Sequence, residues 1–288
     1  MTSVIIAAHN EEGVIRACLD ALSLQTGIDG PLDVVVSANA CTDATVDIAR
    51  ASGATVVDRP LSGKAAALNA GEHVAHGFPR IYLDADIVVP PNAIAELVAV
   101  LARPGGVLAA VPRRRLNTRG RPWLVRAYFS INERLPAFTD GLFGRGMIAL
   151  SSEGRARFEL FPEMVADDLF LDSLFSVEEK VTVPTLEVVV EAPFTTGDLM
   201  RRLVRVRRGN SQMREAARTA QVELSVRTSD KRAWLRVVAR EPRLIVAAIP
   251  YVAITLVASR RARRTASSVE WGRDESTRER SAASGEDN

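Results

Sequence analysis

Short apolar segments and amphipathic segments alternate through the first 111 residues, and this alternation limits the fold more than any other feature. The apolar runs predict buried strands, and the segments between them have the apolar spacing of helices, the first with Asn10 as its N-cap. Strands joined by helices in this way form a mostly parallel sheet with helices on both faces. The predicted strands are 4–8, 32–36, 54–57, 81–83 and 106–111, and the predicted helices are 14–22, 43–51, 64–74 and 91–101.

The alternation loosens after Pro112. The further predicted elements are helices at 121–135 and 201–218, an acidic helix start within 163–175, and strands at 146–150 and 180–191. The last strand contains Pro184, which is expected to interrupt it because proline cannot donate to a strand ladder.

Composition divides the chain into four parts. We expect one α/β domain in two halves, 1–112 and 113–225, then a basic and apolar helical segment, 226–264. The tail, 265–288, is rich in Ser, Arg and Glu and is expected to be disordered.

Charge and cysteine content exclude some classes of protein. The formal net charge is only +2, so we expect no nucleic-acid partner. Cys18 and Cys41 form no Cys-x-x-Cys pair, and neither a disulfide framework nor a zinc site is expected. The first residues lack the basic segment of a secretory signal, and we expect a cytoplasmic protein.

One apolar run near the C-terminus, 244–258, is followed by four arginines within six residues and contains Pro250. The run is shorter than the roughly 20 residues that span a bilayer. We therefore favour a helix peripheral on the inner face of the cell membrane, with contact through 244–264. A buried terminal helix is the alternative.

Two carboxylates, Asp84 and Asp86, follow the fourth predicted strand directly. Residues i and i+2 of an extended segment point to the same side, so both carboxylates can converge on one hard cation. Alone, the pair is a weak signal, since a turn whose aspartates cap backbone groups is the alternative.

Polar groups also follow the first two predicted strands, in His9-Asn10-Glu11-Glu12 and in Asn39 to Asp43. Ligands of open α/β sheets bind beyond the carboxyl ends of the strands, where these loops meet. The segment Gly63-Lys64-Ala65 is not a P-loop, because the first glycine and the Ser or Thr are missing. No Gly-x-Gly-x-x-Gly is present either, which disfavours a dinucleotide-binding fold.

Taken together, these motifs resemble those of family 2 glycosyltransferases, which have the GT-A fold. That fold is a Rossmann-like sheet whose nucleotide-binding half carries a D-x-D metal motif. The matching segments are VIIAAHNEE at 4–12, CTDAT at 41–45, GKAAALN at 63–69 and DAD at 84–86, in the order and at the spacing of the family. The resemblance covers roughly the first 175 residues.

The resemblance implies a nucleotide-diphospho-sugar donor. It assigns contacts with the base and ribose to the loop of Ala8, His9, Asn10 and Glu11 and to Asn39. The family usually has two acidic residues where this chain has Ala38-Asn39. An Asn can still hydrogen-bond a base or ribose, although it lacks the charge. A loop histidine without a role is the alternative for His9.

The resemblance also implies a metal, Mn²⁺ or Mg²⁺, because both ions accept carboxylate and phosphate oxygens. Asp86 would bind the metal directly, and Asp84, with Ala85 between them, would contact ribose or metal-bound water. The metal would neutralise the charge of the leaving diphosphate. Lys64 would lie near the base, ribose or phosphates, and the alternative for it is a solvated lysine at a helix start.

Transfer also needs a base for the acceptor hydroxyl, and the family supplies one from an acidic pair that opens a helix. Asp168 matches the base and Asp167 its neighbour. Ordinary helix capping is the alternative. Upstream, Gly144, Arg145, Gly146 and Met147 loosely resemble the family's acceptor-side loop, and a plain turn before a strand is the alternative.

The basic helix at 201–218 carries Arg201, Arg205 and Arg208 on one face. Arg205 and Arg208 are candidates to hold the diphosphate, an anionic acceptor or a lipid headgroup, and a solvated basic face is the alternative. The Q-x-x-R-W motif of processive polysaccharide synthases is missing from this region, which argues against such a synthase.

The sequence therefore predicts an inverting, metal-dependent glycosyltransferase of the hexosyltransferase type. Its acceptor would be a glycan, a lipid or a small molecule, in cell-surface glycan, glycolipid or natural-product biosynthesis. A non-catalytic nucleotide-sugar-binding or assembly protein is the alternative. A sugar-1-phosphate nucleotidyltransferase ranks last, because it needs a Gly-rich, Arg-containing loop after the first strand.

Overall fold

A seven-stranded sheet forms the centre of the part of the chain that the computed structural model describes, residues 1–163, 167–219, 230 and 232–264. The strands are β1 (Ser3–Ala8), β2 (Asp33–Asn39), β3 (Thr55–Arg59), β4 (Arg80–Asp84), β5 (Ala109–Asn117), β6 (Met147–Leu150) and β7 (Lys180–Glu191). The helices of the first half are α1 (Ile15–Ser23), α2 (Thr45–Ala51), α3 (Lys64–Val74) and α4 (Ala93–Leu101). Those that follow are α5 (Trp123–Asn132), α6 (Pro136–Thr139), α7 (Ser152–Arg155), α8 (Asp167–Ser173), α9 (Thr196–Arg218), α10 (Ala233–Arg240) and α11 (Ile245–Arg264).

The strand order is β3-β2-β1-β4-β6-β5-β7. Neighbouring strands are parallel except around β6, which is antiparallel to both β4 and β5. The predicted α/β fold with a mostly parallel sheet is thereby confirmed, and the C-terminal helix is present.

Both faces of the sheet are covered, which explains why β1 is apolar at nearly every position. Val4 and Ile6 pack on one side with α1 and α4, and Ile5 packs on the other side with α3. A Cβ on Gly71 of α3 would lie 2.6 Å from the Ile5 side chain, so glycine lets the helix approach the strand. Each fully buried Ile or Val contributes about 1.5–3 kcal/mol to folding.

The expectation that Asn10 caps the first helix is wrong. Helix α1 begins only at Ile15, and Asn10 has a φ of 54°. The Asn10 side-chain oxygen accepts a hydrogen bond from the Thr42 amide at 2.7 Å. Asn10 therefore ties the loop after β1 to the loop after β2.

Strand β7 has the predicted bounds, and its pairing shows the effect of Pro184. The ladder with β5 shifts register between the pairs Pro112–Val183 and Arg113–Glu187. Because Pro184 cannot donate a ladder hydrogen bond, the irregularity falls at this point.

The two halves of the domain share one sheet, since β5 runs across the division drawn after residue 112. Helix α9 begins earlier than predicted, at Thr196, where Thr195 and Asp198 form a reciprocal capping box. The predicted tail, 265–288, lies outside the described residues.

A third apolar cluster joins α5, α9, α10 and α11, with Tyr251 of α11 stacked on Tyr128 of α5 at 5.2 Å. The apolar helix is longer than the run read from the sequence. Pro242–Arg264 spans 23 residues with a mean hydropathy of 1.7, enough to cross a membrane by length and composition, and 33% of its apolar window is buried. Core helices of soluble proteins pass the same test.

Candidate active site

A cleft of about 720 Å³ opens at the carboxyl ends of β1 and β4, where open α/β sheets bind ligands. Many of the residues singled out in the sequence line it: His9, Glu11, Lys64, Asp84, Ala85, Asp86, Gly144, Gly146, Asp167, Asp168 and Arg205. Others lie outside its lining: Ala8, Asn10, Asn39, Arg145, Met147 and Arg208.

Lys64, the first residue of α3, joins two acidic groups of the cleft. Its Nζ lies 3.0 Å from Asp84 Oδ1 and 2.7 Å from Asp167 Oδ2, and the side chain is only 23% exposed. Burial alone would lower the pKa of Lys64, but the carboxylates of Asp167, Asp84 and Asp168 outweigh it and hold the pKa well above its ordinary value. This geometry excludes the alternative of a solvated lysine.

Asp168, in the first turn of α8, is a half-buried carboxyl that lines the cleft. Its Oδ2 accepts a hydrogen bond from the Gly144 amide at 2.9 Å. Burial and the neighbouring Asp167 raise the pKa of Asp168 to about 7, with Asp84 adding to the effect and Lys64 opposing it. A carboxyl with this pKa can accept a proton near neutral pH.

The residues of the Asp-x-Asp motif fit a metal that is shared with a ligand. Among the described residues no group of three or more His, Cys, Asp or Glu could hold a metal alone. One or two carboxylates together with substrate phosphates are, however, a usual Mg²⁺ site. Burial and then the charges of Asp86, Asp84 and Glu11 raise the pKa of the nearby Cys18 thiol to about 12, so this end of the cleft is electronegative.

The loop after β1 places His9 in the lining of the cleft, and the end of β2 holds its ring. Its Nδ1 lies 2.6 Å from the backbone oxygen of Asn39. A carbonyl only accepts, so Nδ1 carries the proton. The Asn39 side chain is completely buried, and neither of its amide atoms has a hydrogen-bond partner among the described residues. The contact of Asn39 with a cleft residue is thus made by its backbone oxygen, through His9.

Gly144 and Gly146 both need backbone conformations that favour glycine, with φ of 57° and 67°. The backbone oxygen of Gly146 accepts from the Asp84 amide at 2.8 Å, which extends the β4–β6 pairing to the edge of the cleft. A Cβ on Gly146 would lie 2.4 Å from Ile87, so packing inside the protein already demands glycine here.

Arg145 and Met147 alternate with these glycines and point into the protein. Met147 is completely buried in β6. Arg145 is 2% exposed, burial lowers its pKa to about 10, and its guanidinium donates to backbone carbonyls. Those carbonyls belong to Pro112, Phe138, Thr139 and Gly141. The acceptor contact expected of Arg145 and Met147 does not fit these positions, and both shape the loop instead.

The arginine face that lines the cleft differs from the predicted one. Arg201 is exposed and pairs with Asp198, and Arg208 lies outside the lining, whereas Arg202 and Arg205 line it. The sequence reading also missed several cleft residues beyond the first half: Arg114, Tyr128, Phe138, Arg207, Arg214 and Arg236. For Arg114 a signal existed, since the triplet at 113–115 follows an apolar strand at its carboxyl end.

The mostly parallel sheet, with Asp84-Ala85-Asp86 and Asp167-Asp168 lining the cleft at its carboxyl edge, is the architecture expected of the GT-A fold. The family model described as Glycosyl transferase family 2 matches residues 3–153, and the chain belongs to this family. No curated protein gives a significant match to the sequence.

Solved structures share the fold. The chain is similar to the mannosyltransferase PcManGT from Pyrobaculum calidifontis, in complex with GDP-Man and Mn²⁺, with a TM-score of 0.60 and 22% identity over 93% of this chain and 76% of that one. It is also similar to S. aureus TarS 1-349 in complex with UDP, with a TM-score of 0.51 and 16% identity over 92% of both chains.

Proposed function

We propose that the protein transfers a hexosyl group from a nucleotide-diphospho-sugar to an acceptor hydroxyl, with inversion of configuration and with a divalent metal. The observation that carries this proposal is the link from Asp84 through Lys64 to Asp167, beside Asp168 with its pKa of about 7. Through Lys64, the carboxylate of Asp84, which suits a metal–diphosphate complex, is linked to Asp167. The neighbouring Asp168 has a pKa that suits it to take a proton.

In the proposed reaction the acceptor oxygen attacks the anomeric carbon of the sugar. The bond from that carbon to the diphosphate oxygen breaks, and the nucleoside diphosphate leaves with the bonding electrons. Asp168 accepts the proton of the acceptor hydroxyl. A single displacement of this kind inverts the anomeric centre, so NMR of the first-formed product distinguishes it from retention.

The donor lies, in this proposal, along the loop after β1 and the end of β4. His9 and Glu11 line the base and ribose side, with Asn39 orienting His9 through the 2.6 Å contact. Asp86, and with it Asp84, would hold Mn²⁺ or Mg²⁺. A bound metal supplies positive charge that stabilises the leaving diphosphate. PcManGT binds GDP-Man and Mn²⁺ and TarS binds UDP, which supports a nucleotide ligand for a protein of this fold.

We also propose that the enzyme works at the cytoplasmic face of a membrane, in the assembly of a surface glycan, glycolipid or natural product. The outer face of α11 exposes a stripe of apolar side chains, of which Ile249 is 75% exposed. Exposed arginines, among them Arg260 and Arg261, follow the stripe. An apolar stripe with basic residues at its end suits an anionic lipid surface.

A panel of nucleoside diphosphates and nucleotide sugars, each with and without Mn²⁺, tests the donor site by thermal unfolding. A ligand at 100 times its Kd stabilises the native state by about 2.7 kcal/mol. We expect one base to give metal-dependent stabilisation that Asp86→Asn abolishes. The control Asp47→Asn, whose side chain is 86% exposed on α2, retains it.

Failure of every nucleotide to stabilise the protein would contradict the donor site. Stabilisation without any turnover, by contrast, would favour the non-catalytic binding protein. The pairing of Lys64 with Asp167 argues against that alternative, because nucleotide binding alone does not require an acidic pair on the acceptor side.

A further inference from the structure

Most carboxylates of the cleft lie on one set of elements and most of its arginines on another, where Glu191 and Asp230 also line it. Its carboxylates at the ends of β1 and β4 and at the start of α8 face a wall of arginines from later elements. These are Arg114 of β5, Arg202, Arg205, Arg207 and Arg214 of α9, and Arg236 of α10. The proposed donor and metal bind at the carboxylates, so the arginines are available to bind an anionic group of another ligand.

Arg114 lines the cleft from β5, and packing against neighbouring residues holds its guanidinium in place. Its guanidinium carbon lies 4.6 Å from the centre of the Phe138 ring, and its Nη1 lies 3.5 Å from the Gly144 backbone oxygen. Its Nη2 is buried and has no hydrogen-bond partner among the described residues. Burial and then the positive charges of Arg202 and Arg145 lower the pKa of Arg114 to about 10. The carboxylates of Glu133 and Asp168 act in the opposite direction but do not cancel this effect.

Within the described ranges, neither Arg114 nor Arg202 forms a salt bridge with a carboxylate. Arg202 donates a long hydrogen bond, 3.5 Å, from its Nη1 to the backbone oxygen of Glu191. Two cleft guanidiniums that have no ion-pair partner among the described residues offer their donors to an anionic ligand.

Gly144 links Arg114 to the proposed base. Its amide donates to Asp168 at 2.9 Å, and its carbonyl faces Arg114 at 3.5 Å. The nitrogen and oxygen of one residue are only about 3 Å apart. The path from Asp168 Oδ2 through Gly144 to Arg114 Nη1 is therefore at most roughly 9 Å long. A hydroxyl that lies a few bonds from an anion held by Arg114 can reach the carboxyl over this distance.

We propose that Arg114 and Arg202 form a subsite for a phosphate group carried by the acceptor. The proposal rests on the proposed transfer reaction and names the class of its acceptor, a hydroxyl compound with a phosphate close to the reacting oxygen. A phosphate fits better than a carboxylate, because it carries up to two negative charges and offers oxygens to guanidiniums from two directions.

Two sources of such a phosphate are compatible with the cleft. One is a soluble phosphomonoester, and the other is the headgroup of a lipid. Beyond the arginines the lining becomes apolar, with Leu199, Leu203 and Tyr251, in the cluster that α11 completes. Both sources share the phosphate chemistry, and the experiment separates them.

The first arm measures thermal unfolding of the full chain in EDTA, with glycerol 3-phosphate against glycerol at equal ionic strength. EDTA removes metal-mediated binding, so this arm needs neither nucleotide nor metal. We expect glycerol 3-phosphate to stabilise the wild type, and Arg114→Gln and Arg202→Gln each to weaken its apparent affinity about tenfold or more. Arg113→Gln is the matched control, since Arg113 neighbours Arg114 but pairs with Glu187 on the surface.

The second arm replaces the soluble ester by phosphatidylcholine vesicles with and without phosphatidic acid. If the phosphate belongs to a lipid, binding to the phosphatidic acid vesicles falls in Arg114→Gln and Arg202→Gln but not in Arg113→Gln. If it belongs to a soluble compound, only the ester distinguishes the variants. Equal responses of all three variants to both probes would overturn the subsite. Because Arg114 and Arg202 lie on different elements, the test remains possible if one of the two variants fails to fold.

A third arm separates acceptor from donor binding. In Mn²⁺ and a saturating nucleoside diphosphate, the ester should add its own stabilisation to that of the nucleotide. Mutually exclusive stabilisation would place the ester in the donor diphosphate site and overturn the assignment. Because the first arm is independent of nucleotide, failure of the donor site alone leaves the phosphate result standing.

Discussion

At the scale of residues, the site depends on contacts between groups that are far apart in the sequence. The motifs indicated Lys64, Asp84 and Asp167 one by one, but not that one ammonium group bridges both carboxylates. That bridge depends on where α8 lies over the sheet, and no local pattern encodes it. The pKa of Asp168 was equally hidden, because burial and the neighbouring Asp167 cause it.

The raised pKa of Asp168 predicts how stability changes with pH in the metal-free protein. A carboxyl with an ordinary pKa of 3.8 in the unfolded chain and about 7 in the native state holds its proton more tightly when folded. Between these two values the native state binds more protons, so the free energy of unfolding falls as pH rises from about 4 to about 7. We expect a contribution on the order of 1–3 kcal/mol.

Urea unfolding of the wild type and of Asp168→Asn, from pH 5 to pH 8 in EDTA, measures this effect. The variant keeps an oxygen for the Gly144 amide but cannot ionise, so the wild type should lose stability relative to it as pH rises. Parallel pH profiles for the two proteins would show that Asp168 has an ordinary pKa.

At the scale of elements, the sequence predicted the secondary structure of residues 1–112 more completely than that of residues 113–225. Strands β1 to β4 are short apolar runs between helices, and α3 has the predicted bounds. Strand β5 continues to Asn117 through charged residues, because its partner β7 lies far along the chain and pairing with it outweighs the local composition. The sequence Thr195-x-x-Asp198 is a capping-box pattern, and it indicates the early start of α9.

The turn into β6 gives a stability prediction at this scale. Gly146→Ala places a Cβ at a φ of 67° and 2.4 Å from Ile87, so we expect a loss of roughly 1–3 kcal/mol in the free energy of unfolding. Gly197→Ala near the start of α9 is the control, since a Cβ there meets nothing closer than 3.5 Å. Chemical denaturation measures both, and equal stability of the two variants would contradict the packing argument.

Helix α11 gives a second prediction for an element. Ile249→Glu adds a charge to its exposed apolar stripe without touching the cluster around Tyr251. We expect binding to anionic vesicles to fall several-fold, while the unfolding temperature changes little. The control is Val177→Glu, an exposed apolar position before β7. Equal vesicle binding by both variants would remove the membrane contact through α11.

At the scale of the whole molecule, one sheet carries both ends of the cleft. The parallel strands from β1 to β4 present the loops that the sequence motifs identified. Antiparallel β6 brings the Gly144–Gly146 turn next to Asp84, and β5 adds Arg114. The fold and the cleft residues of the first half could be predicted because their signals are local and ordered along the chain. Among later cleft residues, Arg114 and Arg236 were not predicted, because the pairing of distant strands and the packing of the C-terminal helices bring them to the cleft.

The central claim is that Asp168 acts as the base of a metal-dependent transfer in this cleft. The most direct measurement is the release of nucleoside diphosphate from the nucleotide sugar that stabilises the protein, with water as acceptor and with Mn²⁺ present. We expect Asp168→Asn to lower the turnover number about 10²–10⁴-fold while nucleotide-induced stabilisation persists. Chelation of the metal should also abolish release. Turnover in Asp168→Asn equal to that of the wild type would contradict the account.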